Sequence, residues 1–463
     1  MASFKLKQQI AEDLEKIQSP SPSWIVPSSF QYDVVIIGAG MAGLAAAFAL
    51  QRLGVSNIQI FDQNETGLEG PWLTYARMPS LRSMKELVGP ALDIPSLTFH
   101  AWYEHLFGKE KWERLRKIPT NLWMDYLCWL RHILSLPVEN KRTLTNIQEF
   151  NQGLQLQIND QTITTRKLIL ATGRGGFGGS RFPFFVYPLP KKFYAHTNES
   201  FPYETLKNKR IGIIGGGASG FDAAETALEC GAKSADILIR RPSLPHVNKA
   251  ASLTYTGFFE GYYDLDDNQR WQFLDACYRD GIPPPVEVLE RMKEFPHFQV
   301  LLGREITRAT TTQHEILIDT NKGSLTYDFL ILATGFEIDG FKQPELAPFM
   351  HQILLWKDRP GIQHLNGPYW FYQSPYLGPH FQFLEKMKGE APFLKNIYCF
   401  NYAATLSHGQ LSGDIPGIGR GAQRLARGIT KDFFTEDWMD YDTQLKEFQV
   451  NEFIQDNYKF FQN

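Results

Sequence analysis

A β-branched strand that runs into a glycine-rich turn and then an alanine-rich helix occurs twice in this chain, and the duplication constrains the fold more than any other feature. Val34-Val35-Ile36-Ile37 is a continuous apolar run, the mark of a parallel strand buried on both faces. Gly38-Ala39-Gly40-Met41-Ala42-Gly43 comes next, then a helix through Leu53 and a second strand, Ile58-Gln59-Ile60-Phe61-Asp62. The same order returns in Arg210-Ile211-Gly212-Ile213-Ile214, Gly215-Gly216-Gly217-Ala218-Ser219-Gly220, a helix over 221–229 and a strand over 235–239. Each stretch is closed by a buried strand ending in a turn, Leu168-Ile169-Leu170-Ala171-Thr172-Gly173 in the first and Leu330-Ile331-Leu332-Ala333-Thr334-Gly335 in the second.

In a G-x-G-x-x-G turn the first glycine makes the bend, the second lets a pyrophosphate approach the backbone, and the third lets helix and strand pack closely. The free N–H groups at the helix start lie at the positive end of its dipole and receive the anion. A lone match is weak, but here each comes after a strand and opens a helix, which is the confirming context. Gly38, Gly40 and Gly43 in the first turn, and Gly215, Gly217, Ser219 and Gly220 in the second, are therefore candidate cofactor contacts. Gly173 and Gly335 join them as the turns that close the two units.

The residue at the tip of the next strand separates the nucleotides. Asp62 stands where a carboxylate accepts from ribose hydroxyls, which suits FAD or NAD equally. The second unit ends in Arg240-Arg241, where guanidinium groups can grip a 2′-phosphate, so this site reads as one for NADPH; the alternative is a pair of solvated charges at a strand end.

A chain of 463 residues suggests about two to three domains. With net charge −3, no global basic field recruits nucleic acid or an anionic membrane. No apolar run approaches the roughly 20 residues of a spanning helix. Residues 1–17, with Phe4, Ile10, Leu14 and Ile17 among charges, predict an amphipathic surface helix, and the Ser/Pro-rich 19–29 a linker. Cys128, Cys230, Cys277 and Cys399 form no close pair, so a cytoplasmic protein without disulfides or a metal site is expected.

The paired turns and A-T-G strands resemble the flavoproteins with two dinucleotide-binding domains, over nearly all the chain from Tyr32 on. The disulfide reductases among them pass electrons through a cysteine pair, which this chain lacks. The single-component flavin monooxygenases match best: flavin-containing monooxygenases, Baeyer–Villiger monooxygenases and lysine/ornithine N-hydroxylases. Gly70-Pro71-Trp72 resembles their G-x-W segment, whose Trp lies beside the flavin. Ser83-Met84-Lys85-Glu86-Leu87-Val88 is similar to the N-hydroxylases, in which the lysine matching Lys85 contacts cofactor or substrate. His196-Thr197 to Phe201-Pro202 resembles the His-centred fingerprint of the other two groups, with Pro190 and Lys192 where the fingerprint opens on Phe and Gly.

The resemblance implies an α/β fold with two Rossmann-like dinucleotide-binding domains, the NADPH domain inserted in the FAD domain. Residues 1–31 would be helix and linker, 32–204 and 328–463 the FAD domain with C-terminal helices, and 205–327 the NADPH domain with a small helical insertion around 266–278 and 286–295. It also implies FAD at the first turn, NADPH as reductant, a C4a-(hydro)peroxyflavin as oxygen donor, and a small organic substrate with O2 as partners. A homodimer is common in the resembled group. The alternatives are a flavin reductase that inserts no oxygen, or a non-catalytic redox sensor.

Lys85 and His196 are the candidate catalytic residues, with a solvated lysine and a packed linker histidine as the competing readings. The glycine-rich 173–179 reads as a mobile loop near the nicotinamide or as a plain connector. Asp414, before a helix over 420–429, is expected near the flavin or as a helix cap. Tyr255, Phe258, Phe259, Tyr262 and Tyr263 either line a substrate pocket or pack a core.

Overall fold

The computed structural model describes residues 2–450 and shows a mixed α/β chain built on two parallel sheets. In the first, Tyr32–Ile37 lies between Ile58–Asp62 and Gln161–Leu170, all parallel, with Val138–Asn140 outside Ile58–Asp62. An antiparallel meander, Leu144–Phe150 and Gly153–Ile158, pairs with the early part of Gln161–Leu170, and Ile397–Cys399 runs parallel to its last residues. The second sheet has the order Phe298–Leu302, Ser234–Ile239, Arg210–Ile214, Phe329–Leu332 and Tyr194–His196, every pair parallel. Two of its strands, Tyr194–His196 at the edge and Phe329–Leu332 beside it, lie outside the expected 205–327. The former spans only three residues and carries no periodicity that a sequence reading could catch.

The two chain crossings between the sheets run side by side. Gly178–Ser180 pairs antiparallel with Phe336–Ile338, and Gln343 donates to the carbonyls of Gly175 and Gly178 at 3.0 and 3.1 Å. The end of the glycine-rich stretch is thus a paired ribbon, and Gly178 is required there because a Cβ on it would fall 2.2 Å from the Glu337 carbonyl oxygen.

The helix Asp267–Tyr278 forms where expected, started by a capping box between Asp266 and Gln269. It packs elsewhere than expected. Trp271 is buried in the core of the first sheet and its indole N–H donates to the Asn366 carbonyl at 2.9 Å. Phe258, Phe259 and Tyr262 join the same core, so most of that aromatic group is interior packing, while Tyr255 is exposed. By contrast Val286–Met292 packs on the helix of the second glycine turn, Ala218–Glu229.

The amphipathic helix Ala2–Lys16 buries Leu6 and Ile10 against the first core. Met1, the side chain of Phe4 and residues 451–463 lie outside the described residues. Residues 19–29 run over the first domain's surface, held where the Trp24 indole donates to the Leu53 carbonyl at 2.7 Å.

Candidate active site

The first glycine turn sits where Tyr32–Ile37 ends between its neighbours. Gly38 has φ +103°, and a Cβ there would lie 2.4 Å from the Ala171 oxygen. A Cβ on Gly43 would lie 1.8 Å from the Gly38 oxygen, so helix Met41–Arg52 and strand meet with no room for a side chain. Gly40 differs, because the nearest atom to a Cβ would be Gly70 Cα at 3.7 Å. Its backbone is open where a pyrophosphate would approach.

Asp62 is buried beside this turn. One carboxylate oxygen accepts from the Ala39 N–H and the other from the Asn64 N–H, both at 2.8 Å. Burial raises its pKa, and the two N–H donors offset part of the rise. The loop that carries Trp72 is pinned by Glu69, which accepts from Arg131 at 2.9 Å, Asn140 at 2.7 Å and the Gly67 N–H at 2.8 Å. No motif marked Glu69; only its burial with three donors reveals it. Trp72 meets Trp123 edge to face at 6.1 Å, and both indole N–H groups are buried without an acceptor. An unpaired donor of this kind beside an open glycine backbone fits a polar, flat ligand.

The second turn repeats the first at residue level. Gly215 has φ +117°, a Cβ on it would lie 2.4 Å from the Ala333 oxygen, and one on Gly220 would lie 2.2 Å from the Gly215 oxygen. A Cβ on Gly217 would meet nothing within 4 Å, so this backbone too is open, and Ser219 beside it is exposed. The strand register makes Ile239 the counterpart of Asp62, because Ile37 pairs with Phe61 and Ile214 with Leu238. Arg240 therefore stands one residue beyond the acid's position, and it is exposed. Arg241 is committed to the Asp280 and Arg279 carbonyls.

At the crossing stands a group of side chains that the sequence did not announce. Arg174 comes directly after Gly173 at the crossing, with its guanidinium over the Tyr402 ring at 4.9 Å and 3.8 Å from the Asp414 carboxylate. Asp414 begins the helix Ile415–Glu436 without capping it by its side chain. Ile415 packs toward Gly89, which also touches Trp123, so this helix start borders the Trp72 region. Trp370 is tilted by 32° against Tyr402 at 5.9 Å, and Tyr278 meets Trp370 edge-on at 6.0 Å.

Arg174 and Asp414 keep 51 % and 37 % of their side-chain surface. Burial works against the Arg174 charge; Tyr402, Asp414, Tyr278 and Tyr75 around it outweigh that and raise its pKa. Burial raises the pKa of Asp414, with Arg174 opposing. Asn401, buried, donates to Thr172 at 3.1 Å and so ties the crossing to the segment that carries Tyr402 and Asp414. Nearer the second turn, Arg82 donates to Asp222 on helix Ala218–Glu229 at 2.6 Å.

Lys85 and His196 are not brought together. The Lys85 ammonium donates to the Trp112 carbonyl at 2.7 Å and lies over that indole at 4.5 Å. His196 is fully buried at the end of Tyr194–His196, between Phe182 and Phe336. Its Nδ1 accepts from the Asn198 N–H at 3.0 Å. Burial pushes its pKa below the ordinary value, and the nearby Gly335 backbone offsets part of this. It stands at the crossing of the two sheets, not against Asp62 or Trp72.

Known proteins share this division. The family model for pyridine nucleotide-disulphide oxidoreductases matches residues 35–254; all four cysteines here are free thiols. The chain is 35 % identical over 446 residues to the FAD-dependent urate hydroxylase of Xanthomonas campestris, covering 94 % of each. Among solved structures it is similar to L-lysine 6-monooxygenase from Pseudomonas syringae, with TM-score 0.69 and 16 % identity over 86 % of this chain and 99 % of that one. It is also similar to the ornithine N-hydroxylase of Kutzneria sp. 744 with reduced FAD, NADP+ and L-ornithine, with TM-score 0.66 and 14 % identity over 87 % and 99 % of the two chains. At such identities these two likenesses carry the fold alone.

Proposed function

The chain belongs to the class B flavin monooxygenases and is an FAD-dependent monooxygenase, and from that premise we propose that it hydroxylates a planar, nitrogen-rich heterocycle of the urate type with NADPH as reductant. The carrying observation is the likeness to a urate hydroxylase over 94 % of both chains. The aromatic group of Tyr402, Trp370 and Tyr278 beside Arg174 supports it, since ring faces suit a flat substrate. In balance, substrate, O2, NADPH and a proton give hydroxylated substrate, NADP+ and water.

FAD, when bound, supplies the two-electron chemistry that activates O2. The open backbone at Gly40, the tight packing of Gly38 and Gly43, and the Asp62 carboxylate support the first turn as its seat, with Trp72 beside the ring and Gly173 at the edge. Gly215, Gly217, Ser219 and Gly220 would receive the NADPH pyrophosphate, with Gly335 at that unit's closing turn, and the exposed Arg240 its 2′-phosphate; the NADP+ in the Kutzneria structure supports the choice of nucleotide. Arg241 would assist only by steadying the strand end. The start of helix Ile415–Glu436 at Asp414 would present its positive end to charge on the reduced ring.

In this reading the second sheet is a domain inserted into the first. Its support is the chain order, in which the five strands of the second sheet fall between 194 and 332 while those of the first fall before and after them. His196 would set the geometry of the crossing, and Lys85 would hold the wall behind Trp112.

The test is turnover of urate with NADPH under heavy-isotope O2. One labelled oxygen in the product is expected. NADPH oxidation that yields only hydrogen peroxide, with urate and every related heterocycle, would replace this reading with an electron-transferring reductase.

A further inference from the structure

We infer that Arg174, with the rings of Tyr402 and Trp370, forms the subsite that holds the anionic edge of the substrate, a site that rests on the heterocycle reading above. Among the described residues Arg174 makes no hydrogen bond; its nearest acid, Asp414, is 3.8 Å away, an electrostatic neighbour only. A guanidinium carries five N–H donors in a planar fork, and with half its side-chain surface exposed those of Arg174 are open to a ligand. Its plane is fixed from one side by Tyr402 at 4.9 Å, which leaves the fork edge for a ligand.

A ring with an ionised N–C–O edge matches that fork in bidentate fashion, while its face stacks on the aromatic wall. Tyr402, Trp370 and Tyr278 all pack against the core of the first sheet and none against the second, which places the subsite with the first sheet, where FAD would sit in the reading above. The position equivalent to Arg174 after the second A-T-G turn is Phe336, so the charge is peculiar to this side. Asp414 then has a definite task. It balances Arg174 at rest and is displaced as partner when a substrate anion arrives.

The experiment uses the FAD-bound enzyme and titrates urate, and neutral caffeine as a planar control, through the change each makes in oxidised-flavin absorbance. Arg174→Ala is expected to weaken urate about 10- to 100-fold, the scale of a charged hydrogen-bonded contact, to leave the weak caffeine binding within about twofold, and to raise the urate KM more than it lowers kcat. Arg174→Lys keeps the charge without the fork and is expected to fall between; it carries the test should Arg174→Ala fail to retain FAD. Tyr402→Leu is expected to weaken both ligands by about two- to tenfold.

Urate affinity unchanged in both arginine variants, or a KM effect confined to NADPH and NADH, overturns the subsite. Should the wild-type enzyme ignore urate yet oxygenate another planar anion in an Arg174-dependent way, the urate reading falls and the subsite stands.

Discussion

At the first glycine turn the Ala39 N–H is held by the Asp62 carboxylate, whereas at the second the equivalent Gly216 lies beneath the aliphatic Ile239, whose Cδ1 would be 2.3 Å from a Cβ there. The backbone frames are the same to the residue: Gly38 against Ala171, Gly215 against Ala333, with the same 2.4 Å approach. The polar finish is where they differ. The first turn is pre-tied by a buried acid that donor groups must share. The second carries no acid and places an exposed arginine one step further out. A tightly kept prosthetic group and an exchanging cosubstrate ask for that difference, since pre-organisation lowers the cost of binding and an open rim lets a ligand leave.

The largest test of this comparison exchanges the third glycines. Gly43→Ala puts a methyl group 1.8 Å from a backbone oxygen and should cost about 3 kcal/mol with loss of bound FAD. Gly220→Ala meets the Gly215 oxygen at 2.2 Å and should keep FAD while abolishing reduction by NADPH. Flavin content and anaerobic reduction read both, and loss of flavin from both variants would mean that the turns do not serve separate nucleotides.

A smaller effect separates the neighbouring arginines. Arg240→Ala should raise the KM for NADPH about 10- to 100-fold and that for NADH within about twofold, as expected of a lost charged contact. Arg241→Ala should change both modestly and alike, because its donors are already engaged by the Asp280 and Arg279 carbonyls. Equal losses for NADPH and NADH in Arg240→Ala would remove the 2′-phosphate assignment.

The smallest effect is in pH. Burial raises the Asp62 pKa in the folded protein, so its contribution to stability is full below the unfolded carboxylate value and is lost as pH rises through the raised one. Asp62→Asn should flatten that part of the curve of melting temperature against pH. The second turn, with Ile239 at the matching place, has no such slope to lose.

Both turns were legible because glycine, β-branched strand and helix succeed each other locally, and local order is what sequence shows. The capping box that starts Asp267–Tyr278 was legible for the same reason. Its partner was not. Trp271 finds Asn366 across 95 positions, and nothing in either segment names the other. Arg174 is the sharper case: within Gly173-Arg174-Gly175-Gly176 it looks like part of a connector, and only the distant Tyr402 and Asp414 make it a site. The aromatic group at 255–263 left two readings open for the opposite reason, since apolar density near a turn describes a core and a pocket wall equally well, and most of it is core.

The ion pair of Arg82 with Asp222 joins the first sheet's side of the molecule to the helix of the second turn. Asp222 is buried, its second oxygen has no partner, and burial raises its pKa against the pull of Arg82. Packed cores shift between discrete arrangements and resist small adjustment. A charge pair yields more smoothly, stretching with the water and ions that reach its exposed half. The two halves are thus tied by a charge whose loss would leave a buried carboxylate without its cation, a cost that neither interior can absorb by repacking.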